Sequence, residues 1–285
     1  MKLARYASNG AVRIGRIDSS ETTITPFADI TDMFEAIRRN GGLGSADTGR
    51  PEALADVRVL APIARPQRNI FCVGKNYRDH AREFASSGYE AGAVKGAELD
   101  SHPAVFTKPA NTVVGPGDVV QLHQHITSSV DYEAELALVI GREGRDIVPE
   151  QAYDHIFGYT IVNDVTARDR QRNHKQWFLG KALDTFCPMG PWITTADELD
   201  PEDLDVKCWV NGELRQSANT RDLLFDIPTL VSTISAGLTL KPGDIIATGT
   251  PAGVGLGFDP PRFLRSGDSV SITISHLGTL TNTFQ

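Results

Sequence analysis

Apolar and polar positions change places in short runs along most of the chain. Residues 1–30 carry brief β-branched runs, RIGRID and TTITPF, separated by turns, and read as short strands. In TDMFEAIRR (31–39), Met33, Phe34 and Ile37 fall on one helical face. Thr31 or Asp32 can cap that helix. NGGLGSADTGRP (40–51) is glycine-rich and reads as loop. VRVLAPIARPQ then runs extended into NIFCVG, a short buried-strand pattern, and YRDHAREF reads as a helix. Further on, GPGDVVQL, EAELALVIG, FGYTIVND, VKCWVNGELRQ, GDIIATG and DSVSITIS read as strands between turns. Asn211-Gly212 signals a hairpin, because both positions tolerate φ > 0. IPTLVSTISAGLTL predicts a helix that ends near Gly237, and Pro242-Gly243 then turns the chain. Strands outnumber helices, and the strand–helix alternation of a doubly wound sheet is missing. The pattern predicts a mixed α+β, predominantly β protein. A small N-terminal domain (1–66) would precede a larger one (67–285).

Composition narrows the partners. The chain has 285 residues, with 28 Lys+Arg against 36 Asp+Glu, for a net charge of −8. That balance argues against a nucleic-acid or anionic-membrane partner, which needs a basic surplus. Cys72, Cys187 and Cys208 are too few and too widely spaced for a disulfide framework or a CxxC metal site, and they fit a reducing compartment. The start, MKLARYASNG, turns polar at once, unlike a signal peptide. No run approaches the ~18 apolar residues that span a bilayer. A cytoplasmic protein is expected.

Chemistry concentrates in a few segments. In VDYEAELALVIG, Asp131, Glu133 and Glu135 are spaced by two, so on a strand they share a face. Like charges that close repel unless a cation or protons neutralise them. An all-oxygen set favours Mg²⁺, Mn²⁺ or Ca²⁺ over zinc. The competing reading is a solvated edge strand. Asp164 ends an apolar run and offers a third acid, or a helix cap before VTARD. Lys181, in FLGKALD, could neutralise such a cluster, hold a substrate carboxylate, or sit on the surface. His80 and Glu83 are three apart on a helix. A carboxylate beside imidazole makes a general base, but such pairs are also common on surfaces. The loop SSGYEAGAVKGAE that follows has the composition of a lid. ATGTPAGVG lacks the Lys-Ser/Thr ending of a phosphate loop. It reads as a turn, or as backbone that approaches a ligand beside Thr250.

These segments occur together in a recognisable order. NIFCVGKNYRDHAREF, FTKPANTVVGPGD, DYEAELALVIG, GYTIVNDVTARDRQ, GKALDTFCPMGPWI, VNGELRQ and GDIIATGTPAGVG resemble the fumarylacetoacetate hydrolase family over about residues 69–285. The resemblance implies a β-roll or flattened mixed barrel, commonly a homodimer. It implies Mg²⁺ or Mn²⁺ held by Glu133, Glu135 and Asp164, with Lys181 beside the metal and His80–Glu83 on a helical lid that activates water. Arg168, Gln171 and Thr250 would hold the pyruvate-like end of the ligand, and Tyr77 joins these substrate-binding candidates. The implied function is hydrolysis of a C–C bond in a 2,4-dioxo acid, an acylpyruvate or a 2,4-dioxo-3-deoxy sugar acid. Pyruvate would leave as an enolate stabilised at the metal. Oxaloacetate decarboxylation and isomerisation of 2-hydroxyhepta-2,4-diene-1,7-dioate are the alternatives. The distal half of the pocket is expected to involve residues 84–102 and 172–180.

Overall fold

The computed structural model describes residues 1–46, 48–89 and 101–285. The first segment forms short strands: β1 (Lys2–Ser8), β2 (Ala11–Ile17), β3 (Thr23–Pro26), β4 (Glu52–Ala53) and β5 (Arg58–Leu60). Between β3 and β4 lies helix α1 (Met33–Arg39), capped by Asp32, whose Oδ1 accepts the Glu35 N–H at 2.8 Å. The glycine-rich stretch after α1 is not open loop throughout; Asn40–Ser45 winds into a 3-10 turn. Leu3, Ile14, Phe27, Met33 and Ile37 share one apolar cluster with Val162, Met189 and Ile193 of the larger part. A segment this short buries too little surface alone, and here its core continues into its neighbour's.

The larger part begins with β6 (Ile70–Gly74), helix α2 (Arg78–Ser86) and β7 (Ala104–Lys108). Three two-residue strands follow, β8 (Val113–Val114), β9 (Val119–Val120) and β10 (Val130–Asp131). Next come β11 (Ala134–Ile140), β12 (Ile156–Asn163) and β13 (Thr166–Ala167), then helices α3 (Arg168–Asn173) and α4 (Phe178–Lys181). The chain ends with β14 (Cys187–Thr195), β15 (Asp205–Val210), β16 (Glu213–Asn219), helix α5 (Ile227–Ser235), β17 (Ile245–Ala247), β18 (Ser269–Ile274) and β19 (Gly278–Phe284). The protein is mixed α+β and predominantly β.

The main sheet runs β4-β3-β2-β1-β14-β12-β11-β17-β6-β7, with β5 added to β1 and β8 to β14. Among the described residues this path is open rather than closed into a barrel. A second sheet, β16-β15-β18-β19-β9, faces it across a core that includes Leu136, Leu138, Ile161, Val206, Val270 and Ile272. The alternate residues of β11, Ala137 and Val139, face the opposite cluster with Ile70 and Cys72. This strand is therefore apolar on both faces, as its unbroken ALVI run requires. The predicted hairpin is present: Asn211 (φ 51°) and Gly212 (φ 81°) join β15 to β16.

Two strand readings need correction. GPGDVVQL holds only the two residues of β9, because Asp118 folds the preceding glycines into a turn by accepting the Gly115 N–H at 2.7 Å. Conversely, the unpredicted β14 is a long, fully buried strand beside β1 and β12. Its Pro188 and Pro191 argue against a central strand, since proline cannot donate to the ladder. The β12–β14 register shifts between Tyr159 and Ile161, and this irregularity accommodates Pro191.

A candidate metal and catalytic site

The site lies where β11 begins and where β6, β12 and β17 end. β10 stops at Asp131 and β11 starts at Ala134, so Glu133 stands in a break. Two side chains replace the missing ladder bonds. Asn163 Oδ1 accepts the Glu133 N–H at 3.0 Å, and Gln216 Oε1 accepts the Ala134 N–H at 3.1 Å. The break brings Glu133 and Glu135 together with Asp164, at the end of β12. One carboxylate oxygen from each of the three lies within 4.8 Å of the others, and all three residues are buried. The solvated-edge reading and the helix-cap reading of Asp164 both fail.

Three buried cations answer this charge. Lys181 Nζ donates to Glu133 Oε2 at 2.6 Å and to Asp164 Oδ2 at 2.7 Å. Lys108 Nζ donates to Asp164 Oδ1 at 2.6 Å and to the Val165 carbonyl at 3.0 Å. Arg168 meets Glu133 Oε1 at 2.7 Å and donates through Nε to Asp131 Oδ2 at 2.8 Å. Asp131 is thus not a third member of the cluster but the anchor of Arg168. With Asp131 included, four carboxylates face these three cations, and among the ion pairs named here none involves Glu135. Burial raises its carboxyl well above the usual range, and the nearby Asp164 and Glu133 raise it further. Burial also pushes Glu133 up, but chiefly the Lys181 and Arg168 cations outweigh it and hold Glu133 at about 2. A buried, all-carboxylate cluster that crowds Glu135 against two other acids fits a hard divalent cation.

The lid helix α2 supplies the other half. His80 is buried, and its Nδ1 lies 3.0 Å from Glu83 Oε2. A carboxylate there accepts Nδ1–H, so Nε2 carries the lone pair. His80 lines a small cavity together with Glu133, Glu135, Arg168, Gln171, Lys181 and Thr250. Val73, Gly74, Lys75, Phe84, Phe106 and Trp177 complete its walls. Trp177 packs edge-on against Phe84 at 6.1 Å and Phe106 at 5.3 Å, making an apolar wall whose Phe106 ring lies 5.0 Å from Lys181 Nζ. Gln171 Oε1 accepts from Arg168 at 3.2 Å, which leaves its amide nitrogen as a donor. Thr250 Oγ1 accepts from Gln216 at 2.8 Å, which leaves its hydroxyl hydrogen to donate.

The glycine-rich loop after β17 ties both halves together with its backbone. Gly249 N–H donates to Glu135 Oε2 at 3.0 Å, and Gly253 N–H to Glu83 Oε1 at 2.9 Å. Gly255 and Leu256 N–H donate to Asp131 at 2.6 and 3.0 Å. It is neither a bland turn nor only a ligand-approach loop.

Of the site residues read from the sequence, nine converge: His80, Glu83, Glu133, Glu135, Asp164, Arg168, Gln171, Lys181 and Thr250. Tyr77 does not line this cavity; it is buried and borders a neighbouring groove with Leu223 and Pro251. Phe84 and Trp177 reach the cavity from the segments expected at its distal end. Arg172, His174 and Lys175 are exposed instead, and residues 90–100, with most of the proposed lid loop, lie outside the described residues. Lys108, Asn163 and Gln216 complete the site with no spacing signal of their own. The clue was indirect: buried acids need buried partners. All three cysteines are buried and free, and none belongs to the acidic cluster.

Comparison with known proteins places the chain. The family model described as Fumarylacetoacetate (FAA) hydrolase C-terminal matches residues 69–285. The chain belongs to this family. A second model, described as Rv2993c-like, N-terminal, matches residues 1–62. Oxaloacetate tautomerase YisK of Bacillus subtilis is 56% identical over 231 residues, covering 81% of this chain and 74% of its own. Oxaloacetate tautomerase fahd2, mitochondrial, of Xenopus laevis is 43% identical, covering 80% and 68%. Among solved structures, a fumarylacetoacetate hydrolase from Exiguobacterium antarcticum aligns with TM-score 0.85 at 42% identity, covering 100% of this chain and 99% of its own. A 2-hydroxyhepta-2,4-diene-1,7-dioate isomerase from Mycobacterium marinum aligns at 0.79 with 40% identity, covering 100% and 98%. A maleylpyruvate hydrolase from Sphingobium sp. SYK-6, in complex with manganese(II) and pyruvate, aligns at 0.77 with 34% identity, covering 100% and 98%. Among the described residues, no helix is long and apolar enough to cross a membrane.

Proposed function

We propose that this fumarylacetoacetate hydrolase family enzyme catalyses a metal-dependent proton shift in a short 2-oxo dicarboxylic acid, with oxaloacetate keto–enol tautomerisation as the reaction it fits best. The observation that carries the reading is a buried base, His80 with Glu83, across one small cavity from the Glu133–Glu135–Asp164 cluster. The oxaloacetate tautomerases at 56% and 43% identity support the substrate.

Glu133, Glu135 and Asp164 would hold Mg²⁺ or Mn²⁺. When bound, the ion supplies Lewis-acid polarisation of the 2-oxo group. The Gln171 amide and the Thr250 hydroxyl orient the acid end of the ligand. Arg168 and Lys181 remain committed to the carboxylates and keep the floor rigid. His80 Nε2 handles the proton at C3, while Glu83 fixes the ring and stabilises the imidazolium. From enol to keto, C3 gains one proton and the enol oxygen loses one. Phe84, Phe106 and Trp177 exclude water from the C3 side.

A second reading keeps the same residues: His80–Glu83 activates water for C–C hydrolysis of a 2,4-dioxo acid. The dyad itself and the maleylpyruvate hydrolase likeness favour it. One panel separates the two. Enol-oxaloacetate absorbance and coupled pyruvate detection are followed with oxaloacetate, acylpyruvates and 2,4-dioxo-3-deoxy sugar acids. Accelerated enol loss without pyruvate supports tautomerisation; rapid pyruvate release from a dioxo acid replaces it with hydrolysis.

A further inference from the structure

Glu83 is held at two points. Its Oε2 meets His80 Nδ1 at 3.0 Å, and its Oε1 accepts the Gly253 N–H at 2.9 Å. The second contact reaches from the lid helix across to the glycine-rich loop. That loop has room for Glu83 only because of a missing side chain. A Cβ on Gly257 would lie 1.8 Å from Glu83 Oε1, 2.3 Å from Cδ and 2.6 Å from Cγ. The three nearest atoms all belong to the flexible end of one side chain. Gly257 has no positive φ, so alanine is conformationally allowed there. A methyl group at this position would therefore press first on Glu83.

We propose that Gly257 is a positioning residue for the His80–Glu83 pair: its absent side chain is the space in which the Glu83 carboxylate seats against the Gly253 N–H and aligns the imidazole. The inference rests on the reading of His80–Glu83 as the proton-handling pair. Without the seated carboxylate, nothing fixes the tautomer that leaves Nε2 basic. The direct partners of the metal ligands lie elsewhere. Glu135 is held by Gly249, eight positions away on the loop, and Glu133 and Asp164 by Lys181.

The experiment is a double-mutant cycle of Gly257→Ala and Glu83→Ala in the Mg²⁺-loaded enzyme. The readouts are kcat, KM, the pH profile of kcat, Mn²⁺ affinity and melting temperature. Gly257→Ala is expected to lower kcat by about 10²-fold or more, the scale of a lost general base. KM and Mn²⁺ affinity should stay within about twofold, and the basic-form limb of the pH profile should shift. In the Glu83→Ala background, where the clash is gone, Gly257→Ala should change kcat no further, and that double variant should fold even if the single one does not. Wild-type kcat in Gly257→Ala, or an equal loss in both backgrounds, overturns the proposal. Wild-type kcat in Glu83→Ala overturns instead the reading of the pair on which it rests.

Discussion

The floor and the roof of the site are built by opposite means. The floor is a set of carboxylates at and beside the ends of sheet strands, each held by a buried cation or a backbone N–H. Removing any one partner strands a charge in a dry place. The roof is a nine-residue helix, Arg78–Ser86. It is tied to the rest through one carboxylate–amide bond at Gly253, the Phe84–Trp177 contact and a small apolar cluster with Val254 and Leu256. The difference teaches a division of labour. A site that must concentrate negative charge needs a rigid, charge-compensated base, whereas a group that transfers protons needs accurate aim and little binding energy. Damage to the floor should therefore cost stability and metal affinity, and damage to the roof should cost turnover alone.

The largest expected effect is on the floor as a whole. Removing divalent cations with a chelator should abolish turnover, and Mg²⁺ or Mn²⁺ should restore it; undiminished activity in the metal-free protein would remove the metal from the account. Next comes the roof. His80→Ala should lower kcat by roughly 10²–10⁴, with Mn²⁺ affinity by titration unchanged; a parallel loss of affinity would erase the division. Lys108→Met leaves Asp164 short of a partner and should cost about 3–5 kcal/mol in denaturant unfolding. A loss below about 1 kcal/mol would mean that the lysine is not needed to balance the cluster.

A smaller effect concerns pH. Glu135 is protonated more readily in the folded, metal-free chain than in the unfolded one, because burial and then Asp164 and Glu133 raise its carboxyl. Its contribution to stability is full below the unfolded value, about 4.3, and is lost as pH rises toward the folded value. Metal-free wild type should therefore lose stability relative to Glu135→Gln as pH rises through the window that opens at the unfolded value. Metal binding in that window should release a proton, seen as buffer-dependent heat in calorimetry. A heat independent of buffer would show that Glu135 is already ionised. The smallest effect is expected at the exposed rim. Arg172 lies over Tyr89 at 5.0 Å, and its truncation to alanine should cost only about 0.5–1 kcal/mol, with kcat unchanged.

Much of this site could be read from the chain because its chemistry is local. Glu133 and Glu135 are two apart, and His80 and Glu83 share one helical turn. What could not be read depends on distant partners. Lys108 meets Asp164 across 56 positions, and Gly253 meets Glu83 across 170. No periodicity encodes either. The break at Glu133 is invisible for the same reason, since Asn163 and Gln216 repair it from other strands. In the fold, α1, α2, β11, β12 and the Asn211-Gly212 hairpin follow their patterns. β14 does not, because it carries two prolines, and Pro191 is accommodated by a register shift against its partner strand. Tyr77 shows the limit of carrying roles over by neighbourhood. It is three residues from His80, yet it borders a different groove.

The central claim is that His80 Nε2 handles the proton at C3 of a 2-oxo dicarboxylate held over the Glu133–Glu135–Asp164 cluster. It is tested most directly by following deuterium entry at C3 of oxaloacetate in D₂O by NMR, with Mg²⁺ present, for the wild type and His80→Ala. The account predicts enzyme-catalysed exchange that depends on the metal and falls by at least about 10²-fold in the variant. Exchange no faster than without enzyme, or equal in the two proteins, would contradict it.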